Sequence, residues 1–318
     1  MKIHISCLVD NDPKFIIQAY NWLLSLKATG TKATPFICAV DGSLSEQTCR
    51  TFKYLGAKVV SANRFGEGRA AYCNKISQLF IDDVIDCDFL ILSDADIGFL
   101  APPEQTVNGA PLRAKRVDLP VPHVTTIEEW LKTIGIPWFG ESEAQFAPRQ
   151  GHRTELTSLV KKQSHLNPLE NVKRKTLAYN YNGGLYVIQQ NEIKRLREAW
   201  SKYAAKLLAA APLSAKWSIH ADQIGLACAI YDLGIEVSEL ESCWNFPTHL
   251  PAEMYGTFNN YQEQYGLHYH NHLDNHGLPL KVGVPWLDNS IELLRDVIIK
   301  GRREYFDNEI FWVLSDKA

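Results

Sequence analysis

No stretch of this 318-residue chain approaches the ~20 consecutive apolar residues that a membrane-spanning helix needs. The opening "MKIHISCLVDND" turns polar too soon for a secretory leader, so none is expected. Charge of one sign is lacking too. With 33 Lys+Arg against 36 Asp+Glu the net charge is -3, without the general positive field that gathers nucleic-acid phosphates. The basic runs Arg113-Ala114-Lys115-Arg116, Lys173-Arg174-Lys175 and Lys300-Gly301-Arg302-Arg303 read as solvated surface. Peripheral contact with an anionic substrate or membrane surface is the alternative. CxxC pairs are absent, and the seven cysteines are odd in number and dispersed, which argues against a disulfide framework. Cys7, Cys38, Cys87 and Cys228 lie in apolar segments, where a thiol behaves as a small hydrophobe. A reducing, cytoplasmic setting is therefore expected. No GxGxxG follows the first apolar segment, and "GEGRAAYCNK" lacks the Lys-Ser/Thr ending of a P-loop.

What the chain does have is a regular alternation over its first hundred residues. "IHISCLV", "TPFICAV", "AKVVSA" and "DFLILS" read as strands. Between them "PKFIIQAYNWLLSLKA", "SEQTCRTFKYLG" and "AAYCNKISQLFIDDV" read as helices. Such alternation predicts an α/β fold with a mostly parallel central sheet and helices on both faces. From 101 to 176 the periodicity breaks, and the segment reads as an irregular insertion or lid containing one helix, "TIEEWLKTIG". Regular structure resumes with a strand "TLAYNYNGGLYVI", the helices "NEIKRLREAWSKYAAKLLAA" and "HADQIGLACAIYDLG", and a polar-aromatic region. A terminal helix "NSIELLRDVIIKGRREYF" closes the chain. One domain over 1–318 is expected, with divisions at 1–100, 101–176, 177–290 and 291–318.

The stretch "CDFLILSDADIGFL" sets an apolar run directly against Asp94 and Asp96. Open α/β sheets bind ligands outside the carboxyl ends of their strands. Residues two apart on an extended backbone point to one face, so both carboxylates can address one object. A buried pair of acids repels and pays a heavy desolvation cost unless something positive lies beside it. A divalent cation that also bridges phosphates is an economical answer. A phosphohydrolase with an aspartyl nucleophile also presents DxD after an apolar strand. Its pair usually comes near the chain start and continues with a small Thr or Val, whereas Ile97-Gly98 follows here.

The segment "NKISQLFIDDVIDCDFLILSDADIGFL" resembles the Asn-Lys helix and DxD strand of GT-A-type nucleotide-sugar glycosyltransferases, most closely the retaining family 8-like enzymes. Three later segments follow in that family's order: "YNYNGGLYVI", "HADQIGLACAI" and "LHYHNHLDNHG". The resemblance implies a GT-A, Rossmann-like fold that moves a sugar from a UDP- or GDP-sugar to a carbohydrate or glycoconjugate acceptor. It implies Mn2+ or Mg2+ held by Asp94 and Asp96 against the donor diphosphate. It further implies Asp10, Arg69, Asn74, Lys75, Asp94, Gly183 and Gly184 on the donor side, with Asn182, Asp222 and Gln223 beside the reacting sugar. By the same likeness 1–100 is the nucleotide-binding half and 177–290 the acceptor and metal-completing half.

His268, His270 and His272 alternate, which on a strand would put all three on one face. Buried imidazoles need partners, and a neutral imidazole suits Mn2+ beside carboxylates. One of His268 and His270 is expected to complete the metal site. Trp138, Trp217, Trp244, Phe246, Tyr255, Phe258, Tyr261, Tyr265 and Tyr269 are either sugar-stacking rings or core anchors. Lys281 and Pro285-Trp286 resemble, at wider spacing, the Lys-Pro-Trp end of retaining members. Two other functions stay open: a Mg2+-dependent phosphohydrolase with Asp94 as nucleophile, and a catalytically silent nucleotide- or sugar-binding module.

Overall fold

The computed structural model describes residues 1–145, 175–257 and 263–305. Most of the second half of the expected insertion, Lys173 and Arg174 of one basic run, Phe258, Tyr261 and residues 306–318 lie outside these.

The first half runs β1 (Ile3–Val9), α1 (Pro13–Thr29), β2 (Thr34–Val40), α2 (Glu46–Tyr54), β3 (Lys58–Ala62), α3 (Asp82–Ile85) and β4 (Phe89–Ser93). Helix α1 starts where sequence chemistry puts it. The Asp12 side chain accepts from the Lys14 N–H, Pro13 takes the first turn, and Gly30 ends the helix at φ 69°. Strand β1 alternates strictly. Ile5, Cys7 and Val9 enter one apolar layer, while Leu8 packs against the other. Both sheet faces are thereby covered.

After β4 come β5 (Ile97–Phe99), β6 (Leu112–Arg116), α4 (Val124–Thr133), β7 (Glu141–Glu143), β8 (Lys175–Leu177) and β9 (Tyr181–Gln189). Then follow α5 (Gln190–Ala209), α6 (Leu213–Trp217), α7 (Ala221–Leu233), β10 (Val237–Glu239), β11 (Phe246–Pro247), β12 (Gly266–His268) and α8 (Pro285–Tyr305). Among the described residues the main sheet has the order β10-β6-β9-β4-β1-β2-β3. Every neighbouring pair is parallel except those of β9, which runs antiparallel to β4 and β6. A small sheet β11-β12-β5 stands beside it. One apolar layer includes Trp22 and Leu23 of α1 with Leu294 and Ile298 of α8; the other includes Trp200 of α5 with Ile224 and Ala227 of α7. None of the described helices is long and apolar enough to cross a membrane.

The structure departs from the expectations in four places. Leu112–Arg116, inside the segment read as an insertion, is a strand of the main sheet, and its Arg113 and Lys115 are buried rather than solvated. Acidic partners elsewhere in the chain, Glu241 for Arg113 and Asp118 for Lys115, make that burial tolerable. The segment before β4 is a run of 3-10 turns over Gly68–Phe80, because Asn74 and Lys75 turn inward to satisfy polar groups. "TLAYNYNGGLYVI" is two strands, broken by a turn where Tyr179 takes φ 60°. Finally, β12 ends at His268 and His270 has φ 50°, so strand alternation does not extend over the three histidines.

Candidate functional site

Strand β4 delivers Asp94 to the carboxyl edge of the sheet, anchored from behind. The Trp22 indole N–H donates to Ser93 Oγ (3.0 Å), and that hydroxyl donates to the Asp94 carbonyl (2.9 Å). From the antiparallel neighbour β9, the Gly184 carbonyl accepts from the Asp94 N–H at 2.9 Å. The two acids of the motif then diverge. Asp94 Oδ1 accepts from Lys75 Nζ at 2.8 Å, and Asp94 Oδ2 lies 4.0 Å from His268 Nε2. Asp96 faces His268, with Oδ1 and Nε2 3.2 Å apart but misaligned for a hydrogen bond.

Lys75 is 8% exposed and ties three elements together. Its ammonium donates to Asp94 and to the Gly183 carbonyl (2.8 Å), and stands 3.7 Å from Asp222 Oδ2. Burial works against its charge, but Asp94 and Asp222 outweigh it and hold its pKa above the ordinary value. Asp222, in the first turn of α7, is almost wholly buried. Burial pushes its pKa up from 3.8 to about 6, although the neighbouring Lys75 pulls the other way.

The glycines of "NGG" make room for this assembly. A Cβ on Gly183 would meet Lys75 Nζ at 2.8 Å, and one on Gly184 would meet His268 Nδ1 at 2.6 Å and Asn245 Oδ1 at 2.8 Å. Side chains of the chain's own site, packed against bare backbone, therefore already require both glycines.

One ligand atom from each of Asp96, His268 and His270 lies within 4.8 Å of the others. The His268 and His270 rings stack at 3.8 Å between centroids, and His249 meets His270 edge-on at 3.9 Å. The His270 turn is held from α1, where the Gln18 amide donates to the His270 carbonyl (2.6 Å). Burial, reinforced by His268, holds the His270 pKa well below its ordinary value, which keeps this imidazole neutral. Asp96 Oδ1, His268 Nε2 and His270 Nε2 are buried without a hydrogen-bond partner. One carboxylate and two imidazoles with orphaned lone pairs fit a divalent first-row cation.

The remaining expected residues are more dispersed. Asp10 ends β1 and accepts from the Arg64 guanidinium (3.1 Å), which also binds Asp41 at the end of β2 (2.8 Å). Asn74 Oδ1 accepts from the N–H groups of Phe65 and Gly66, both at 2.7 Å, so it shapes the loop after β3. Arg69 is exposed, close enough to His220 to add to the burial that lowers that histidine's pKa to about 4. Gln223 Nε2 would lie 3.4 Å from a Cβ on Gly183. Asn182 is buried, its Nδ2 donating to Asp118 (2.5 Å) and its Oδ1 accepting from Asn245 (2.9 Å) and the Gly184 N–H (2.8 Å). His272 is outside the Asp96 group, and Lys281 pairs with Glu292 of α8 at 2.8 Å. Trp244, Phe246, Tyr255 and Tyr269 are buried in the core.

No protein-family profile matches the sequence, and no curated protein matches it either. Solved structures do. The chain superposes with a TM-score of 0.50 on galactosyltransferase LgtC in complex with donor and acceptor sugar analogs, at 13% identity, covering 95% of this chain and all of that one. An active-site variant of LgtC gives the same TM-score and identity over 92% of this chain and 94% of that one. The chain has the GT-A fold. Mouse xyloside xylosyltransferase 1 in its apo form is a further match, at a TM-score of 0.46, 13% identity and 84% and 97% coverage. In the main sheet of this chain, β4 and β9 bring Asp94, Gly183 and Gly184 side by side, while β12 of the small sheet brings His268.

Arg64, Asp118, Asn245 and His249 join the site without being among the residues expected from sequence. Arg64 carries a weak signal as a polar residue closing the third strand, and Lys115, the partner of Asp118, lies in a basic run that reads as solvated surface.

Proposed function

We propose that this chain is a glycosyltransferase that moves a sugar from a nucleotide-sugar donor, a UDP- or GDP-sugar, to a hydroxyl of a glycan or glycoconjugate. The observation that carries the reading is the convergence of Lys75, Asp94, Asp96, Asp222 and His268 at the carboxyl edge of a GT-A sheet. Asp96, His268 and His270 would hold Mn2+ or Mg2+, with Asp94 Oδ2 next to them. When bound, the cation would supply positive charge to the departing nucleoside diphosphate.

The chain's own residues divide the rest. The Lys75 ammonium, with its pKa raised, is a permanent positive charge beside Asp94 and adds to the neutralisation of a diphosphate leaving group. Asp10 with Arg64, and Asn74 with its loop, form the donor-side wall at the ends of β1 to β3, and Arg69 lies on its solvent side. Asp222, ionised above pH about 6, puts a buried negative charge near the donor sugar, where an oxocarbenium-like centre would develop. Gln223 stands beside it. Because Asp222 is held by Lys75 in the interior, it suits stabilisation of that centre better than proton removal from an acceptor, which favours retention of anomeric configuration. Residues 1–100 would form the nucleotide half and 177–290 the acceptor half. The proposed setting is cytoplasmic, in polysaccharide or glycoconjugate synthesis.

A thermal-shift screen of nucleoside diphosphates with and without Mn2+ tests this directly. Stabilisation by a nucleoside diphosphate that depends on the cation is expected, together with slow metal-dependent donor hydrolysis. If no nucleotide stabilises the protein with any divalent ion, the proposal fails.

A further inference from the structure

We propose that Asn245 is a positioning residue that fixes His268 as its Nδ1–H tautomer, so that the Nε2 lone pair faces the cation position beside Asp96. The inference rests on the metal role proposed above and extends it to a residue that makes no contact with the cation.

The argument follows the polarity of one buried hydrogen-bond chain. It begins at the Asp118 carboxylate, both oxygens of which accept. One oxygen of Asp118 takes the Lys115 ammonium, and the other takes the Asn182 amide at 2.5 Å. That contact must therefore be made by Asn182 Nδ2. The opposite end of the same amide receives the Gly184 backbone N–H at 2.8 Å, a donor only, so that end must be Asn182 Oδ1. Two independent partners thus orient Asn182 the same way.

Asn182 Oδ1 also meets the Asn245 amide at 2.9 Å, and an oxygen there requires Asn245 to present Nδ2. Asn245 Oδ1 is left facing His268 Nδ1 at 2.9 Å, and an amide oxygen can only accept. His268 must carry its proton on Nδ1. In the neutral ring Nε2 is then a lone pair, buried, and 3.2 Å from the acceptor oxygen of Asp96. Two acceptors at that distance repel unless a proton or a cation lies between them, and a cation is the occupant the neutral ring invites. Asn245 itself is fully buried, and Lys115 Nζ donates to its backbone carbonyl at 2.7 Å, which holds the main chain that carries the amide. Hydrogen bonding of the distal ring nitrogen is a general means of orienting a metal-ligating imidazole, and losing it typically weakens metal binding about 10–100-fold.

The test uses isotope-labelled histidine nitrogen NMR on the metal-free protein and Mn2+ affinity by electron paramagnetic resonance. The unsubstituted protein should show His268 protonated at Nδ1. Asn245→Leu removes the acceptor and should give the Nε2–H tautomer with Mn2+ binding weaker by about 10–100-fold. Asn245→Asp loses the donor to Asn182 Oδ1 but keeps an acceptor at Nδ1, and should preserve the tautomer and bind Mn2+ more tightly than Asn245→Leu. A His268 ring already protonated at Nε2 in the unsubstituted protein would overturn the proposal, even if no Asn245 variant folds. So would a folded Asn245→Leu protein that binds Mn2+ as tightly as the parent, or an equal loss of affinity in both variants. An Nδ1–H spectrum with no Mn2+ uptake would instead overturn the metal reading, so the two failures are told apart.

Discussion

His268 Nε2 stands 3.2 Å from Asp96 Oδ1, and neither buried atom has a hydrogen-bond partner. Such a contact costs free energy in the metal-free protein, and a bound cation would turn it into two ligand bonds. Mn2+ at a hundredfold excess over its Kd should therefore stabilise the protein by about 2.7 kcal/mol, through binding to the native state alone. Asp96→Asn keeps the shape of the side chain and lowers its charge. It should abolish the Mn2+-dependent rise in Tm while leaving the Tm of the metal-free protein unchanged or higher. Calorimetry with and without the ion checks both halves.

Lys75 is the positive counterpart of that site. Its ammonium is shared between Asp94 and Asp222, and Asp222 has no other cation within 4 Å among the described residues. Lys75→Met should leave buried charge uncompensated at a cost of about 3–5 kcal/mol. The cost should shrink at acidic pH, where Asp222 is protonated. Urea unfolding at two pH values separates this from a packing defect, which would cost the same at both.

Most of the first hundred residues is legible in the sequence because β1 to β4 and the helices α1 and α2 keep strand and helix periods apart, whereas the 3-10 run Gly68–Phe80 reads as an ordinary helix. Asp94 and Asp96 stand out as acids closing an apolar run. What local pattern hides is long-range pairing. The Arg113-Ala114-Lys115-Arg116 run looks solvated until Glu241 and Asp118 are brought to it by the fold. His270 is an instructive case. Strand alternation predicts it beside His268, and it is there, but a left-handed turn held by Gln18 puts it there rather than a strand. Asn245, in "CWNFP", carries no local signal at all, since its role depends on Asn182, 63 positions earlier.

Gly184 offers a sharp packing test. An added Cβ would lie 2.6 Å from His268 Nδ1 and 2.8 Å from Asn245 Oδ1, both held in a buried network. Gly184→Ala should therefore destabilise by about 1–3 kcal/mol as an overpacked core does. Because the displaced atoms belong to His268 and Asn245, Mn2+ affinity should fall with it. A variant that loses stability but binds Mn2+ normally would show that the network yields elsewhere.

Asp222 links pH to both stability and turnover, with opposite signs. Its folded pKa of about 6 lies above the ordinary 3.8. Between those values the folded chain retains a proton that the unfolded chain releases, so this group's contribution is fully present below about pH 4 and is lost as pH rises through 6. The loss accrues at about 1.4 kcal/mol for each pH unit between the two pKa values. Asp222→Asn stays neutral throughout. It should be more stable than the parent at pH 7.5 and equal to it near pH 4, measured on the metal-free protein. Catalysis needs the opposite form. If the ionised carboxylate stabilises the developing cationic sugar, donor turnover should rise with pH through about 6. Asp222→Asn should lose that limb and about 10²–10³ of the rate. A stabilised, inactive Asp222→Asn protein would mark this buried acid as one retained for chemistry against its own cost to the fold. A variant neither stabilised at neutral pH nor slowed would remove Asp222 from the site.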